Sequence, residues 1–392
     1  MQLVISRDVL LQTINLISKA ADKRHNMVIL GNIKIVLTQN QLLLTASDLE
    51  VELQATLNLP DGACQQAGQI TVPANKLKDI IKLLPDNLPV TLSVTSDNHC
   101  LIVCGKSRFK LSTLPAEDFP RLGEPDQAMP IELNREDLSD LLEHTHFAMA
   151  LQDVRYYLTG MLFELKQRQL ATVATDGHRL ALARTVIENA DETAELSAIL
   201  PRKAVVELQR LLSELKRMLP NHDNKITLHV GREFLQVILP FGEIDSAGQM
   251  QNPILVSFTA RLIDGKFPDY RRVMPSSTNK VALIQPEQLA NVLRRVAVLS
   301  NEKSRGVIFE FNGDNNLEIR ASNAEQDEAS ESLAIQYQGE PLEISFNVAY
   351  LLDVLNVLNG DIQFNMSQAN ASVLLQQIND VKHEFVVMPM RI

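Results

Sequence analysis

Two short sequence patterns each recur three times along the chain at nearly constant spacing. The first is centred on an alanine in each copy, namely Ala46, Ala174 and Ala321, which are 128 and 147 residues apart. The second follows downstream and contains Pro73, Pro201 and Phe346, which are 128 and 145 residues apart. Because two markers give nearly the same offsets, the sequence predicts three related domains, whereas solenoid repeats are about 20–50 residues long.

The chain has 392 residues, which suggests two to four domains. Segments rich in proline and polar residues near 120–130 and 274–286 are candidate boundaries. We therefore predict an N-terminal domain at 1–127, a central domain at 128–275 and a C-terminal domain at 276–392. Extra residues near 240–253 explain the longer second offset, and we predict that they form a surface loop.

Each third combines helical and strand patterns. Its first helix has an apolar stripe, which in the third copy consists of Leu289, Val292, Leu293 and Val296. Ser6 is a candidate helix cap and Pro286 a candidate first-turn residue. Alternating apolar residues around short polar turns predict antiparallel hairpins between the two helices of each third. The predicted fold class is α+β, with two helices packed on antiparallel sheets in each domain.

The composition excludes several classes of protein. Hydrophobic content of 45% and charged content of 22% are typical of globular proteins, and no apolar run reaches the ~20 residues of a membrane helix. We expect a reduced, cytoplasmic protein, since no export signal is visible and three cysteines cannot form a disulfide framework. The net charge of −11 argues against nucleic acid unless basic residues are clustered on one surface.

Motifs for cofactors are absent, because the sequence contains neither a phosphate-binding loop nor a dinucleotide fingerprint. Cys100 and Cys104 are four residues apart, but a zinc site would require two further ligands. The candidates are Cys64 and His99, and no motif spacing organises them. We interpret the cysteines as buried small apolar residues. No cofactor and no metal is expected.

Two segments can each be interpreted in two ways. Asp176-Gly177-His178-Arg179 is either an acid–base pair or a turn with Gly177 at positive φ, and no nucleophile motif supports catalysis. The C-terminal segment, from Glu384 to Ile392, is unusually apolar. It is either a strand tied into a sheet or one wall of an adaptable, methionine-rich groove.

Basic residues lie on several predicted helices, either as solvated faces or as a shared surface for a phosphate backbone. They are Lys19, Lys23, Arg24, Lys76, Lys78, Lys82, Arg202, Lys203, Arg210, Lys216, Arg217, Arg294 and Arg295. The acidic first helix of the central domain weakens the second interpretation, and composition leaves the choice open.

Long blocks of this sequence resemble the beta subunit family of bacterial DNA polymerase III, the sliding clamps. The resemblance covers the whole chain in order. The blocks that carry it are 29–32, 107–115, 152–158, 173–181, 264–273, 299–303, 346–355 and 386–391.

The resemblance implies a head-to-tail homodimeric ring around duplex DNA, with three similar clamp domains in each chain and no catalytic activity. It implies sequence-independent DNA binding, so contacts should be directed to the backbone and sensitive to salt. Implied partners are the replicative polymerase, the clamp loader, and other polymerases and repair proteins that carry short peptide motifs. A membrane partner is not implied.

Site residues follow from matching positions in that family. The peptide groove would use Leu158, Thr175, Gly177, His178, Arg179, Leu180, Pro268, Arg272, Val273, Asn347, Tyr350, Ser372, Val386, Val387, Met388, Pro389, Met390, Arg391 and Ile392. DNA contacts would be Arg24, Gln152, Tyr156, Tyr157, Arg202 and Lys203. The dimer interface would pair Lys76, Phe109 and Leu111 of one chain with Val298, Leu299, Glu325, Asp327 and Glu331 of the next.

The sequence departs from the family pattern at three positions. Val28 replaces a proline, Ser304 replaces a phenylalanine at the groove edge, and Asn370 replaces an apolar groove residue. We expect a more open or more polar groove rim. Three hypotheses remain at this point: a DNA-encircling clamp, an enzyme that uses His178 and Asp176, and a peptide-binding scaffold without a DNA role.

Overall fold

The structure is a computed structural model, and it describes residues 1–86, 88–220, 225–244, 250–275 and 277–390. Within these residues there are six α-helices: α1 (Arg7–Ile17), α2 (Ala74–Leu83), α3 (Arg135–Glu143), α4 (Arg202–Met218), α5 (Pro286–Val296) and α6 (Val348–Leu355).

The strands alternate with these helices along the described chain. The first thirteen are β1 (Gln2–Ser6), β2 (Asn32–Leu37), β3 (Gln41–Ser47), β4 (Val51–Asn58), β5 (Cys64–Gln66), β6 (Gly68–Pro73), β7 (Pro89–Val94), β8 (His99–Cys104), β9 (Ser107–Ser112), β10 (Met129–Asn134), β11 (Gly160–Lys166), β12 (Gln169–Thr175) and β13 (Arg179–Val186). The others are β14 (Leu196–Pro201), β15 (Lys225–Val230), β16 (Phe234–Ile244), β17 (Met250–Arg261), β18 (Lys280–Ile284), β19 (Gly306–Asn312), β20 (Asn316–Ser322), β21 (Glu328–Ala334), β22 (Gln336–Gln338), β23 (Leu342–Asn347), β24 (Ile362–Met366), β25 (Val373–Gln377) and β26 (His383–Val387).

The chain forms two compact units. The first contains Met1–Glu136 and Lys203–Ile263, and the second contains Asp137–Arg202 and Asp264–Ile392. The predicted central domain therefore contributes segments to both units. The α+β character predicted from the sequence is present in each unit.

The first unit has two antiparallel sheets. The five-stranded sheet has the order β5-β1-β7-β8-β9, and the eight-stranded sheet has the order β10-β15-β16-β17-β4-β3-β2-β6. Strands β4 and β17 join segments of the N-terminal and central thirds, and they pair from Leu57 opposite Ile254 to Val51 opposite Ala260. Buried and less buried residues alternate from Leu53 to Leu57 and from Ile254 to Phe258, as expected when one face of an antiparallel sheet packs on a core.

Apolar stripes decide how the helices of this unit pack. α1 packs on α2, β3 and β4 through a buried stripe that includes Leu10, Ile14 and Ile17. α4 buries Ala204, Val205, Leu208, Leu211, Leu212 and Leu215. The predicted helical spacing is therefore confirmed. Ser6 does precede α1, but its side chain makes no capping hydrogen bond.

The second unit also has two antiparallel sheets. The nine-stranded sheet has the order β14-β11-β12-β13-β26-β25-β24-β18-β22, and the four-stranded sheet has the order β21-β20-β19-β23. Strands β13 and β26 join segments of the central and C-terminal thirds, from Arg179 opposite Val387 to Ala183 opposite His383. α5 packs on β20, β21 and α6, and Pro286 occupies its first turn as predicted.

The segment 240–253 differs from the surface loop predicted for it. Residues 240–244 belong to β16 and residues 250–253 to β17, and Phe241 pairs with Ile254. Phe241 and Ile254 are both buried, so the hairpin continues into this segment because its apolar residues still face the core. Residues 245–249 lie outside the described part of the chain.

The cysteines Cys100 and Cys104 lie on β8 and are buried, with 0% and 2% exposure. Both are free thiols, and burial raises the pKa of Cys100 to about 12. A thiol buried in apolar surroundings is a poor nucleophile. Their interpretation as buried apolar residues is confirmed.

Candidate functional site

A tight turn joins β12 to β13 in the second unit. Asp176 Oδ1 accepts hydrogen bonds from the backbone N–H groups of His178 and Arg179, at 2.9 and 3.1 Å. Gly177 has φ of +90°, a conformation that side-chain-bearing residues rarely adopt. The Thr175 hydroxyl closes the turn, since it accepts from Gly177 N–H at 3.1 Å and donates to the Arg179 carbonyl at 2.6 Å. The turn predicted from the Asp-Gly pair is confirmed.

The catalytic alternative finds no support in this geometry. Both oxygens of Asp176 are engaged in the turn, because Oδ2 accepts from Arg179 Nε at 3.1 Å. The His178 ring instead stacks on Tyr350, with centroids 6.1 Å apart and planes 16° apart. Asp176 therefore shapes the backbone and does not orient the imidazole as an acid–base partner would.

Arg179 links three parts of the second unit. Its side chain is 11% exposed, and its guanidinium donates to Asp353 Oδ2 at 2.5 Å and to the Phe147 carbonyl at 2.8 Å, besides Asp176. The same group lies over the Tyr350 ring, 4.7 Å from its centroid. Asp353 and Phe147 were missed by the sequence reasoning. The one available signal was the position of Tyr350 and Asp353 three residues apart on one helix face.

The C-terminal segment lies against this turn. Met388 N–H donates to the His178 carbonyl at 2.9 Å, and Met390 N–H donates to the Ser345 carbonyl at 2.7 Å. The side chains of Met388, Pro389 and Met390 remain partly exposed. We call the surface formed by the 176–178 turn, Tyr350 and Met388–Met390 the tail groove. Arg391 and Ile392, which were predicted to belong to it, lie outside the described residues.

Several predicted groove residues are buried. Leu158 and Leu180 are 2% exposed, while Val386 and Val387 are fully buried. Leu180 is opposite Val386, and Arg179 is opposite Val387, in the β13–β26 pairing. Leu180, Val386 and Val387 can therefore support the tail groove from within the sheet, and all four side chains offer little surface to a partner.

The polar residues of the predicted groove and its edge lie at the start of α6 and beside nearby strands. Asn347 caps α6 by accepting Ala349 N–H at 2.9 Å, and its Nδ2 donates to the Ser304 carbonyl at 3.3 Å. Ser304 and Asn370 are exposed, and Ser372 is partly exposed. Ser304 and Asn370, the two polar residues that replace apolar residues of the family pattern, are therefore at the surface, where they can alter the polarity of the surface that a partner contacts.

Pro268 and Arg272 also line an open cavity of about 770 Å³ that includes Glu164 and Tyr270. The Tyr270 hydroxyl donates to Glu164 Oε2 at 2.9 Å, and Arg271 forms an ion pair with the same carboxylate. Burial, followed by the hydrogen bond to Glu164, raises the pKa of Tyr270 to about 12. Val273 is partly exposed beside them.

The residues predicted to contact DNA differ in whether their side chains already have partners within the chain. Arg24 and Gln152 are exposed, and Tyr156 is 56% exposed with its hydroxyl donating to the Asp264 carbonyl at 2.9 Å. The Tyr157 ring meets Tyr156 edge-on, with centroids 5.9 Å apart.

The other two predicted DNA contacts are partly engaged inside the chain. Arg202 donates to the Met149 carbonyl at 3.2 Å, and burial lowers its pKa. Lys203 forms an ion pair with the buried Asp48. Burial acts to lower the pKa of Lys203, but the bond to Asp48 outweighs it and the pKa is raised. Lys203 stays charged, with its charge largely committed to Asp48.

The residues predicted for the dimer interface lie at two sheet edges and beside them. Phe109 and Leu111 are on β9, the outer strand of the five-stranded sheet, and Phe109 is 38% exposed. Glu331 is on β21, the outer strand of the four-stranded sheet, where it pairs with Arg295 at 3.0 Å. Of the remaining members, Val298 is 76% exposed, Lys76, Glu325 and Asp327 are exposed, and Leu299 is partly exposed.

Comparison with known proteins defines the class. Family models for the N-terminal, central and C-terminal domains of the DNA polymerase III beta subunit match residues 1–123, 132–269 and 271–391. The beta sliding clamp of Vibrio cholerae is 41% identical over the full length of both chains. The crystal structure of the Pseudomonas aeruginosa subunit has a TM-score of 0.90 at 38% identity, and that of a griselimycin-bound clamp from the same organism has 0.89, each over both whole chains.

These matches place the protein in the class of DNA sliding clamps, which are non-catalytic processivity subunits. The chain belongs to the DNA polymerase III beta subunit family, the beta sliding clamps. The resemblance noted from the sequence is confirmed, and the enzyme hypothesis is wrong. Among the described helices, none has the length and apolar character needed to cross a lipid bilayer.

Proposed function

We propose that the tail groove is where this clamp captures the polymerase and its other protein partners. The observation that carries this proposal is the anchoring of the tail at both ends, by His178 and by Ser345. Anchoring leaves the side chains of Met388, Pro389 and Met390 partly exposed on a fixed backbone. A partner peptide then meets an apolar surface that needs little ordering, which favours affinity.

The chemistry of the tail groove suits a short peptide with apolar anchors. Methionine side chains adapt to different shapes, so one surface can accept several partners. The aromatic faces of His178 and Tyr350 offer flat contacts beside them. Pro268, Arg272 and Val273 extend the proposed surface on one side, and Asn347 and Ser372 extend it on the other. Arg391 and Ile392 stay predicted members of the tail groove. We also propose that griselimycin, which the similar Pseudomonas aeruginosa clamp binds, competes with such peptides here.

We propose that two chains close head to tail through the free sheet edges β9 and β21. Within each unit the chain already joins neighbouring thirds by antiparallel pairing, β4 with β17 and β13 with β26. Pairing of β9 of one chain with β21 of the next would be the same type of strand pairing, and it would remove two exposed sheet edges. Phe109 and Leu111 would then meet Val298 and Leu299 across the boundary.

Charge supports the same interface. Lys76 of one chain would face the acidic group Glu325, Asp327 and Glu331 of the next, and opposite charges favour correct pairing. Glu331 already binds Arg295 within its own chain. We therefore assign the larger share of the attraction to Glu325 and Asp327, which are exposed.

We propose that DNA is held through its backbone by Arg24, Gln152, Tyr156 and Tyr157, with Arg202 and Lys203 contributing weakly because they have partners inside the chain. Contacts of this kind carry no sequence information and allow sliding. A closed ring keeps the polymerase at high effective concentration, which converts rebinding into a nearly intramolecular event.

Loading on nicked circular DNA tests the proposal. The clamp loaded by its loader should be retained on the circle and lost after a restriction enzyme linearises it. A chain truncated after Val387 should fail to stimulate the polymerase, because it lacks the apolar side chains of the tail. Retention that is indifferent to linearisation would contradict the ring, and absence of retention on the circle would leave a peptide-binding scaffold as the function.

We propose the boundaries 1–127, 128–275 and 276–392 for the three clamp domains.

We also propose that the protein is located in the cytoplasm. The free thiols of Cys64, Cys100 and Cys104 suit a reducing compartment. Fractionation of cells that express the chain would test the location.

A further inference from the structure

Four ionisable side chains meet in the second unit, at a place distinct from the tail groove. Asp140 lies on α3, His144 follows that helix, Asp380 precedes β26, and His383 begins it. His383 Nε2 is 2.8 Å from Asp140 Oδ2, and its Nδ1 is 2.6 Å from Asp380 Oδ2. His144 Nδ1 is 3.1 Å from Asp140 Oδ1. Asp140 is therefore shared by two histidines, one oxygen to each.

Every ring nitrogen in this cluster faces an oxygen that can only accept. Besides the carboxylates, His144 Nδ1 is 3.0 Å from the Asp140 carbonyl, and His144 Nε2 is 3.1 Å from the Val357 carbonyl. A neutral imidazole carries one N–H, so two neutral rings would leave two nitrogen lone pairs directed at oxygens. A positive charge between the rings and Asp140 removes this repulsion. The cluster is thus built to hold a cation, either as protons or as a metal ion.

We propose that Asp140, His144 and His383 form a binding site for one divalent transition-metal ion, with Zn²⁺ the best match. One ligand atom from each residue lies within 4.8 Å of the others. Imidazole nitrogen and carboxylate oxygen are ligands that zinc uses, and three protein ligands leave a fourth position for water or an external group. The inference is independent of the proposed clamp surfaces.

The outer contacts of both histidines are those of metal ligands. His383 Nδ1 lies 2.6 Å from Asp380 Oδ2, and His144 Nε2 lies 3.1 Å from the Val357 carbonyl oxygen. Ligating histidines usually donate the second N–H to a carboxylate or a backbone carbonyl, which fixes the tautomer. In the metal-bound form, these outer N–H groups would leave the lone pair of each ring on the nitrogen that faces Asp140.

The position of Asp140 also suits a ligand. Its side chain is 36% exposed, whereas those of His144 and His383 are 15% and 9% exposed, so an ion would enter from the side of Asp140.

Binding requires a small rearrangement of the rings. The two imidazoles are stacked, with centroids 3.9 Å apart and planes 23° apart, so their lone pairs do not yet converge. Rotation about the Cβ–Cγ bonds brings them together as the ion displaces the protons from these two nitrogens. The ion then ties α3 to the start of β26, the strand whose other end carries the tail of the tail groove.

Zinc titration of the untagged, full-length chain tests this proposal. After removal of metals with a chelator, calorimetry and competition with a chromogenic chelator should show one Zn²⁺ per chain. His144→Ala and His383→Ala should each weaken binding at least 10-fold, and Asp380→Ala should weaken it by about 10–100-fold through loss of the outer contact. His146→Ala is the matched control, because its Nδ1 faces the carbonyls of Leu142 and Glu143.

The unaltered chain gives a second readout that does not depend on how the variants fold. X-ray absorption of the zinc-loaded chain should show two imidazole nitrogens at about 2.0–2.1 Å. Binding that is absent at one equivalent, unchanged by both histidine substitutions, or without imidazole scattering would overturn the site.

Discussion

Arg179 organises the tail groove because a guanidinium has five donors in a fixed planar arrangement. Asp176 was foreseeable as its partner, since the two residues share a turn. Asp353 was not, because it is 174 residues away in the chain, and its position three residues after Tyr350 does not indicate Arg179 as its partner. Sequence reasoning therefore predicted the turn and the residues around it. It could not predict that Arg179 is mainly a positioning residue with 11% exposure.

The rim of the tail groove offers a test with single residues. Ser304 and Asn370 are exposed where the family pattern has apolar residues. Ser304→Phe and Asn370→Val should strengthen binding of a fluorescently labelled polymerase-tail peptide, by roughly 1–2 kcal/mol if the new side chain is buried by the peptide. Fluorescence titration measures this directly.

Ser213→Phe is the control for that titration, because Ser213 is exposed on α4 in the first unit. It adds the same apolar surface away from the tail groove, and peptide affinity should not change. Unchanged affinity in both rim variants would show that the polar departures do not matter to the peptide.

Among the elements, the turn between β12 and β13 depends on one glycine. Gly177 has φ of +90°, and a Cβ there would lie 3.1 Å from the Arg155 guanidinium. Gly177→Ala should cost about 1–2 kcal/mol of stability, which corresponds to a fall in Tm of about 2–8 °C. The same variant should bind the labelled peptide more weakly, because the turn carries His178.

Gly313→Ala is the matched control in the turn between β19 and β20. A Cβ at Gly313 meets nothing within 4 Å. Calorimetric scans should therefore show a Tm close to that of the unaltered chain. If both glycine variants behave alike, the turn does not require the left-handed conformation at Gly177.

The free edges of the sheets predict where self-association can be broken. Leu111→Asp on β9 and Val298→Asp beside α5 should each weaken the dimer at least 10-fold, because a carboxylate would be buried between apolar side chains. Sedimentation velocity over a range of concentrations measures the effect. Val186→Asp, at an exposed strand end outside the proposed interface, should leave the dimer intact. A dimer that survives both interface changes would place the contact elsewhere.

Periodicity was a good guide to elements and a poor guide to their ends. Apolar stripes predicted the helices, and alternation predicted the hairpins, because burial of one face determines both patterns. Residues 240–253 misled the prediction because glycine and asparagine suggested a loop, whereas the alternation that includes Phe241 and Ile254 extends β16 and β17. The capping role of Ser6 also failed, because its residue type fits a cap but its side chain makes no such bond.

For the whole molecule, the dependence of DNA binding on salt concentration distinguishes a closed ring from direct contact with the phosphate backbone. Binding of the free chain to short linear duplex should weaken as salt rises, with a slope near −0.9 for each phosphate contact on a plot of log affinity against log salt. Retention on a nicked circle should change little over the same range, since a closed ring leaves DNA only at an end or by opening. A parallel loss in both assays would contradict the closed ring.

At this scale the triplication predicted the number of similar parts but not how they share sheets. Pairing of β4 with β17 and of β13 with β26 joins segments about 200 residues apart, and no local pattern specifies a partner strand at that distance. The same limit hid the proposed metal site, because His144 and His383 belong to different thirds and neither has a ligand spacing that sequence motifs describe.

The β4–β17 pairing also determines how the chain should respond to a cut. A protease that cleaves the proline-containing segment between β9 and β10, near residues 121–128, severs the polypeptide but leaves that antiparallel ladder in place. The two fragments should separate on a denaturing gel and yet elute together, at the position of the intact protein, from a sizing column. Continuity of the sheet, rather than of the backbone, would then be what holds the first third to its neighbour.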